Sequence, residues 1–556
     1  MTEEDILNVK IAIMSHDVNK LKYLHKKGIN INYVNEDGNT NLITACRSGS
    51  FECLKYLIGN NANINRVNKN GTSPLMFASA SKSQYSLKCV EYLIQKGANV
   101  NHKNNDGNTS LMYACEFENL DSIKILIKKG ANIDHENNNK DTSLIIASKN
   151  GNLACVKHLL DSGADINHVN NLGAFPLMAA SRTGELECVK YLHRSGADIN
   201  KLNNNGNNCL MIANITGDLE CVKYLFKNDL NINYIDHEGD SALRIACEFE
   251  HLECLKYLYE HGADINQQNI YGETPLIFVI KYNKLTCFKY LADHSNIHYT
   301  NKNGRNALII ASREGDLESL QYLHQKGCDI NYLTKKGNTA LMYACRFGNL
   351  ECSKYLIENG ANVNKSNKNG YSSIIFAIKF CDLETIYFLL KHGAYVDDTN
   401  NHGNTALIIA SRFGKVESLH FLIDSGADID YSNDDGNTAL IIASAYGKLE
   451  CVKCLIDNEA EINYTNNEEY TPLLYATRYC QLECIKYLIE NGADTNYPNS
   501  DGFTPLMFAS KKGNIECLTY LLENGAVIHY VNNEDKTAVD LAKNEEVKKL
   551  IEKYIK

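Results

Sequence analysis

The sequence predicts an all-α solenoid, built of helix-turn-helix units of 33 residues joined by extended turn fingers. Three observations carry that prediction. The chain repeats itself at a fixed period from end to end, each period contains its own helix start and stop residues, and cysteine recurs at one place within the period. At 556 residues the chain is far too long for one compact core, so several domains or a repeat array are the alternatives. With 44% hydrophobic and 22% charged residues it has the composition of a folded chain. The net charge of -11 argues against general binding to nucleic acid or anionic membrane, while leaving room for a local basic strip.

The period is seen by placing residues 402–433 over 435–466, which align at 33 residues. With the turn glycine as marker, the fifteen steps from Gly38 to position 535 cover 497 residues, two more than a strict repeat. One three-residue insertion at 78–89 and one single deletion at 291–301 account for the excess. The insertion should lengthen only the loop between two helices. The deletion should end the second helix early or tighten the turn after it. A period of this size means a solenoid, in which each unit buries its apolar faces against its neighbours.

Within the unit 403–433, Thr405 suits the N-cap of a first helix that Gly414 ends. A second helix follows, with Val416, Leu419, Leu422 and Ile423 on one face, and Gly426 supplies the left-handed residue at its exit. Twelve units have Gly at that exit. The exceptions are Asn61, Asp229, Ser295 and Glu459, of which Glu459 should carry strain. An Asn stands three places before the marker in 14 of 16 turns, as at Asn35, Asn433 and Asn499, suited to bonding its side chain to its own turn backbone.

Thr-Pro-Leu at Thr274–Leu276, Thr471–Leu473 and Thr504–Leu506, an internal Gly ten residues on, the two-helix body and the Gly-Ala-Asp-Ile-Asn exit resemble the ankyrin repeat over essentially the whole chain. One feature departs. Where the family usually has His after Thr-Pro-Leu, this chain places Ile43, Met76, Met112, Ile441 or Met507, so apolar packing should replace that histidine's hydrogen bonds. The expected organisation is an N-terminal capping unit at 1–34, fifteen tandem repeats at 35–532 and a C-terminal capping unit at 533–556. At about 10 Å per unit, such a stack would be roughly 150 Å long.

The chain has 20 cysteines and no tryptophan. Fifteen places after the marker Cys recurs, as at Cys53, Cys155, Cys188, Cys352 and Cys451, and other units put Ser122, Ser319, Thr385 or Ser418 there. A place that accepts Cys, Ser or Thr is small and packed. Units about 10 Å apart cannot close a disulfide, which needs Cα atoms within about 7 Å. Cys451 and Cys454 form a CxxC, but Cys454 takes the place of Tyr56, Tyr224 and Tyr355. The pair is therefore read as a helix face rather than a metal or redox site. No metal site and no cofactor are expected.

Catalytic chemistry has no foothold either. The closest of the 35 glycines are ten residues apart, which excludes the Gly-rich phosphate loops and the GxSxG elbow. No HExxH occurs, and the carboxylate pairs Glu116/Glu118 and Glu248/Glu250 come with the repeat. The acidic N-terminus and the lack of any apolar run of about 18 residues give no leader or membrane span, and reduced cysteines suit the cytosol. The protein is expected to be cytoplasmic, not an enzyme, and monomeric by default.

A partner would meet the surface that the repeat leaves free. By the resemblance this is the turn tips and the two residues before the mid-repeat Gly, which border a concave groove. Those pairs read Arg346-Phe347, Lys379-Phe380, Arg412-Phe413, Ala445-Tyr446 and Arg478-Tyr479 in five successive units, with Tyr371, Tyr470 and Phe503 at nearby tips. Either each ring packs on the next helix while its cation offsets local acids, or the stripe is a groove for a partner protein's acidic and apolar segment. The expected function is a scaffold or adaptor. The rival readings are an elastic structural element and a targeting subunit or secreted effector that recruits an enzyme.

Overall fold

A computed structural model describes residues 2–228, 230–380 and 383–555. Among them are 33 α-helices and no strands beyond isolated bridges such as Val34–Thr40 and Thr399–Thr405 at the bases of the turn fingers. The chain divides into two bodies, Met1–Ile270 with Lys284–Leu291, and Tyr271–Asn283 with Ala292–Lys556. In the first body the short helices Pro74–Ala80, Ser110–Glu116, Ser143–Lys149 and Pro176–Thr183 pack in series. The longer helices Ser86–Gln95, Leu120–Lys128, Leu153–Asp161 and Leu186–Arg194 form a second row beside them. The second body repeats the plan. Its first helices Ala340–Phe347, Ser373–Phe380, Ala406–Phe413, Ala439–Ala445 and Pro472–Arg478 form one row, and Leu350–Glu358 through Leu482–Glu490 form the other.

Helices of seven to ten residues are too short to hold alone in water, so caps and neighbours make them. Thr405 Oγ1 accepts from Ile408 N at 3.3 Å to start Ala406–Phe413, and Gly414 ends it at φ 70°. In Val416–Asp424 the fully buried side chains are Ser418, Leu419 and Leu422, while Val416 and Ile423 are half-buried. The exit residues Asn61 (φ 65°) and Glu459 (φ 68°) adopt the left-handed conformation their place demands, whereas Asp229 lies outside the described residues.

The insertion behaves as expected, since both flanking helices are intact and only the loop 81–85 is longer. At the deletion the helix does not end early. Leu285–His294 runs ten residues, and Ser295 does not take a positive φ. The missing residue is absorbed entirely by the turn.

The turn asparagines do more than the sequence implied. Asn433 Oδ1 accepts from Asp435 N (3.1 Å) and Asn437 N (2.9 Å), closing its own turn, while its Nδ2 donates to Asn404 Oδ1 of the preceding unit at 2.8 Å. Asn466 repeats the reach to Asn437 (2.9 Å), and in the first body Asn137 reaches Asn108 (2.8 Å). Finger backbones also join, as when Asn467 N donates to Asp435 O at 3.1 Å. They approach so closely that a Cβ on Gly436 would lie 2.6 Å from Asn467 N. The fingers are thus hydrogen-bonded to one another as well as to themselves.

Candidate partner-binding face

The candidate pairs stand where the first helices end. Helices Ala340–Phe347, Ser373–Phe380 and Ala406–Phe413 each terminate on their ring, whereas Tyr446 and Tyr479 cap Ala439–Ala445 and Pro472–Arg478. A cation in the last turn is favoured by the partial negative charge of the exposed carbonyls, which explains why Arg or Lys suits this place. After Phe347, Phe413, Tyr446 and Tyr479 the left-handed residues Gly348, Gly414, Gly447 and Cys480 turn the chain back and leave the ring at the edge. Phe347, Phe380, Phe413, Tyr446 and Tyr479 are 44–52% exposed.

The cations tie these rings together. The Arg346 guanidinium lies 5.8 Å from the centre of Phe347 and 5.6 Å from that of Phe380 in the next unit. Lys379 Nζ lies 5.1 Å from Phe380 and 5.4 Å from Phe413, and Arg412 lies 5.2 Å from Tyr446. The row breaks at Ala445. It resumes with Arg478, 6.0 Å from Tyr479 and 5.1 Å from Tyr470. Arg313, absent from the candidate set, extends the row by one unit, 5.3 Å from Phe347. Among the described residues, none of Arg346, Lys379, Arg412 and Arg478 pairs with a carboxylate. The cations therefore bridge rings and do not offset local acids.

The tip aromatics are placed differently from the expectation. Tyr470 is buried, packed with Leu474 and Phe508, and Phe503 and Tyr475 close over this cluster. Tyr371 leans on Phe376, with ring centres 5.6 Å apart. These three stand one place after the marker, where sister units bury Asn338 and Asn437, so the place faces inward.

Models of the families described as "Ankyrin repeats (3 copies)" and "Ankyrin repeats (many copies)" match the chain. The first matches 9–104, 79–170, 177–269, 266–332, 313–400, 364–433 and 407–499, and the second 151–193 and 488–542. The chain belongs to the ankyrin repeat family. No curated protein matches it. Ankyrin repeats are generally modules of protein–protein interaction and typically non-catalytic. Among the described residues, no helix is long and apolar enough to cross a membrane.

At the place of the ankyrin histidine, Ile43, Met76, Met112, Ile441 and Met507 are buried, so apolar packing does stand there in these units. Two units depart from the rule. Asp540 reaches back to Thr537 across a turn, accepting from its N at 2.9 Å and its Oγ1 at 2.7 Å. Arg244 sits between Asp240 (2.6 Å) and Glu248 (2.9 Å), and burial pushes the Asp240 carboxyl up to about 6 even though Arg244 and a bond to Asn269 act to lower it. Glu248 is thus committed within its ankyrin unit, while Phe249 beside it is 43% exposed.

The second helices carry the cysteine ladder inward. Cys451 and Cys454 lie within Leu449–Asp457, both buried, and burial pushes each thiol up to about 11. Where sister ankyrin units join His193 Nδ1 to Tyr224 Oη (3.0 Å) and His324 Nδ1 to Tyr355 Oη (2.9 Å), Cys454 Sγ meets His420 Nδ1 at 3.3 Å. A thiol has taken over a tyrosine's inter-unit hydrogen bond. Of the 19 described cysteines only Cys480 is not buried. Among the described residues no three His, Cys, Asp or Glu side chains converge as metal ligands would.

Proposed function

We propose that this chain is a non-catalytic scaffold or adaptor that binds partner proteins along the face formed by its first-helix ends and finger tips. The contacts are Arg346, Phe347, Lys379, Phe380, Arg412, Phe413, Tyr446, Arg478 and Tyr479. On this reading 1–34 and 533–556 are capping units around fifteen repeats at 35–532, and the free cysteines fit a reducing compartment such as the cytoplasm.

The single observation that supports the reading is five rings in successive units left about half exposed, beside Arg346, Lys379, Arg412 and Arg478, which among the described residues pair with no carboxylate. A solvated packing face would satisfy one or the other. Arg and aromatic side chains are the usual anchors of interfaces, and a cation already held over a ring presents both to one ligand without first having to be ordered.

The test is a displayed peptide library selected on the purified chain, with its Phe347→Ala/Phe380→Ala/Phe413→Ala variant as the counter-selection. Peptides that prefer the parent chain should emerge, each true anchor contributing about 1 to 3 kcal/mol. Arg346→Glu, Arg412→Glu and Arg478→Glu should weaken the same peptides and flatten their salt response. Selected peptides that bind all variants equally would place the interface elsewhere.

A further inference from the structure

The charge of the second body is sorted along its length. The stretches 296–313, 330–350 and 359–380, each most of a turn finger with its first helix, contain no Asp or Glu in a protein of net charge -11, although Asp329 and Glu314 stand at their borders and Glu314 lies 3.5 Å from Arg313. Each carries three cations. Lys302 stands on the first finger, Lys335 and Lys336 on the second, and Lys365 and Lys368 on the third, all exposed. Among the described residues none of the five forms an ion pair. The fingers are direct neighbours. A Cβ on Gly304 would lie 2.8 Å from Lys335 N, and Lys368 N donates to Lys336 O at 3.1 Å. The remaining cations of the three stretches are Arg305 and the helix-end row Arg313, Arg346 and Lys379. Arg305 is held by Tyr343 Oη at 3.0 Å.

Beyond residue 380 the fingers change sign. Asp397 and Asp398 come first, then Asp434, Asp435, Glu468 and Glu469, although the helix ends remain basic at Arg412 and Arg478. Three units about 10 Å apart span about 30 Å, which nine or so extended residues cover at about 3.3 Å each. A longer polyanion would run into the acidic fingers.

Resting on the reading of the helix-end row as a binding face, we infer that the basic surface made by the fingers and first helices of 296–313, 330–350 and 359–380 docks a short run of Asp and Glu in an extended segment of a partner protein. Carboxylates of that run lie between the finger lysines and the helix-end cations, and its apolar side chains meet the rings. Nucleic acid is the poorer match, since its phosphates continue past 30 Å into Asp397 and Asp398.

The test uses the whole chain and a fluorescein-labelled (Glu-Glu-Phe)4 peptide, followed by anisotropy across a salt series, with (Lys-Lys-Phe)4 and a dT30 oligonucleotide as competitors for the reading. The acidic peptide should bind and the basic one should not. Lys302→Glu/Lys335→Glu/Lys368→Glu should weaken it at least tenfold and reduce the slope of log affinity against log salt, and the corresponding Gln variant should fall between. Loss on both the finger variants and Phe347→Ala/Phe380→Ala/Phe413→Ala sustains this inference. Loss on the finger variants alone sinks the ring reading and with it the apolar half of this inference, whereas loss on the ring variant alone overturns this inference and leaves the ring reading standing. No binding of (Glu-Glu-Phe)4 by the parent chain, or tighter binding of dT30, overturns the inference.

Discussion

The finger ladder has a gap that a single substitution should close. Three places before its marker the unit of Gly239 has Asp236 instead of Asn. Asp236 Oδ1 closes its own turn, accepting from Glu238 N and Asp240 N at 2.9 Å each. A carboxylate has no proton to offer the preceding unit, and the acceptor that would receive it, Asn207 Oδ1, is buried without a partner among the described residues. Sister turns show what Asn does at this register, as when Asn170 Nδ2 reaches Asp141 Oδ1 at 2.8 Å. Asp236→Asn should therefore add one hydrogen bond, worth about 0.5 to 1.5 kcal/mol net, and relieve an unsatisfied acceptor that costs about 1 to 3 kcal/mol. A gain of about 1 to 2 kcal/mol is expected, which is a 5- to 30-fold rise in protection. Because a repeat array opens locally, the assay is amide hydrogen exchange over 204–241 rather than a global melt. Asp236→Ala is the control, since it strips the acceptor from two turn amides and should lower protection by about the same factor. If Asp236→Asn protects no better than the parent, the ladder contributes nothing to holding neighbouring units together.

Four further outcomes are open to measurement. Asp240, raised by burial to about 6, holds its proton more readily folded than unfolded, so its contribution favours the fold near pH 4 and is lost as pH rises to about 6, by about 1 to 3 kcal/mol. Hydrogen exchange over 236–248 should show this loss and Asp240→Asn should abolish it. Amides at 290–303, where the exit turn is one residue short, should exchange faster than those at 420–450, and equal protection would count against a weak junction. At pH 8 a thiol reagent should label Cys480 well ahead of the other described cysteines, and Cys451→Val/Cys454→Val should shift stability by no more than about 1.5 kcal/mol without changing metal content. Stoichiometric zinc lost in that double variant would refute the packing role.

The sequence by itself determined the period, the helix pairs and the inward place of the cysteines. Each rests on local physics that a single unit already contains: an Asn or Thr to start a helix, a Gly to end it, and a small apolar residue recurring at one register. It also placed the candidate cations and rings at one register, because helix-end position is a property of spacing. Tertiary structure decided whatever depends on the neighbouring unit. The reach of Asn433 to Asn404, the bridge of Arg346 to Phe380, the inward turn of Tyr470 and the His420–Cys454 contact join residues about one period apart, where no local rule says which atom faces which. Arg244 is the contrasting case. Its sequence place is that of a buried apolar residue. The two carboxylates that hold its guanidinium, Asp240 and Glu248, lie four places to either side, a local spacing the sequence already contains, so that only the burial of the group is decided by tertiary packing.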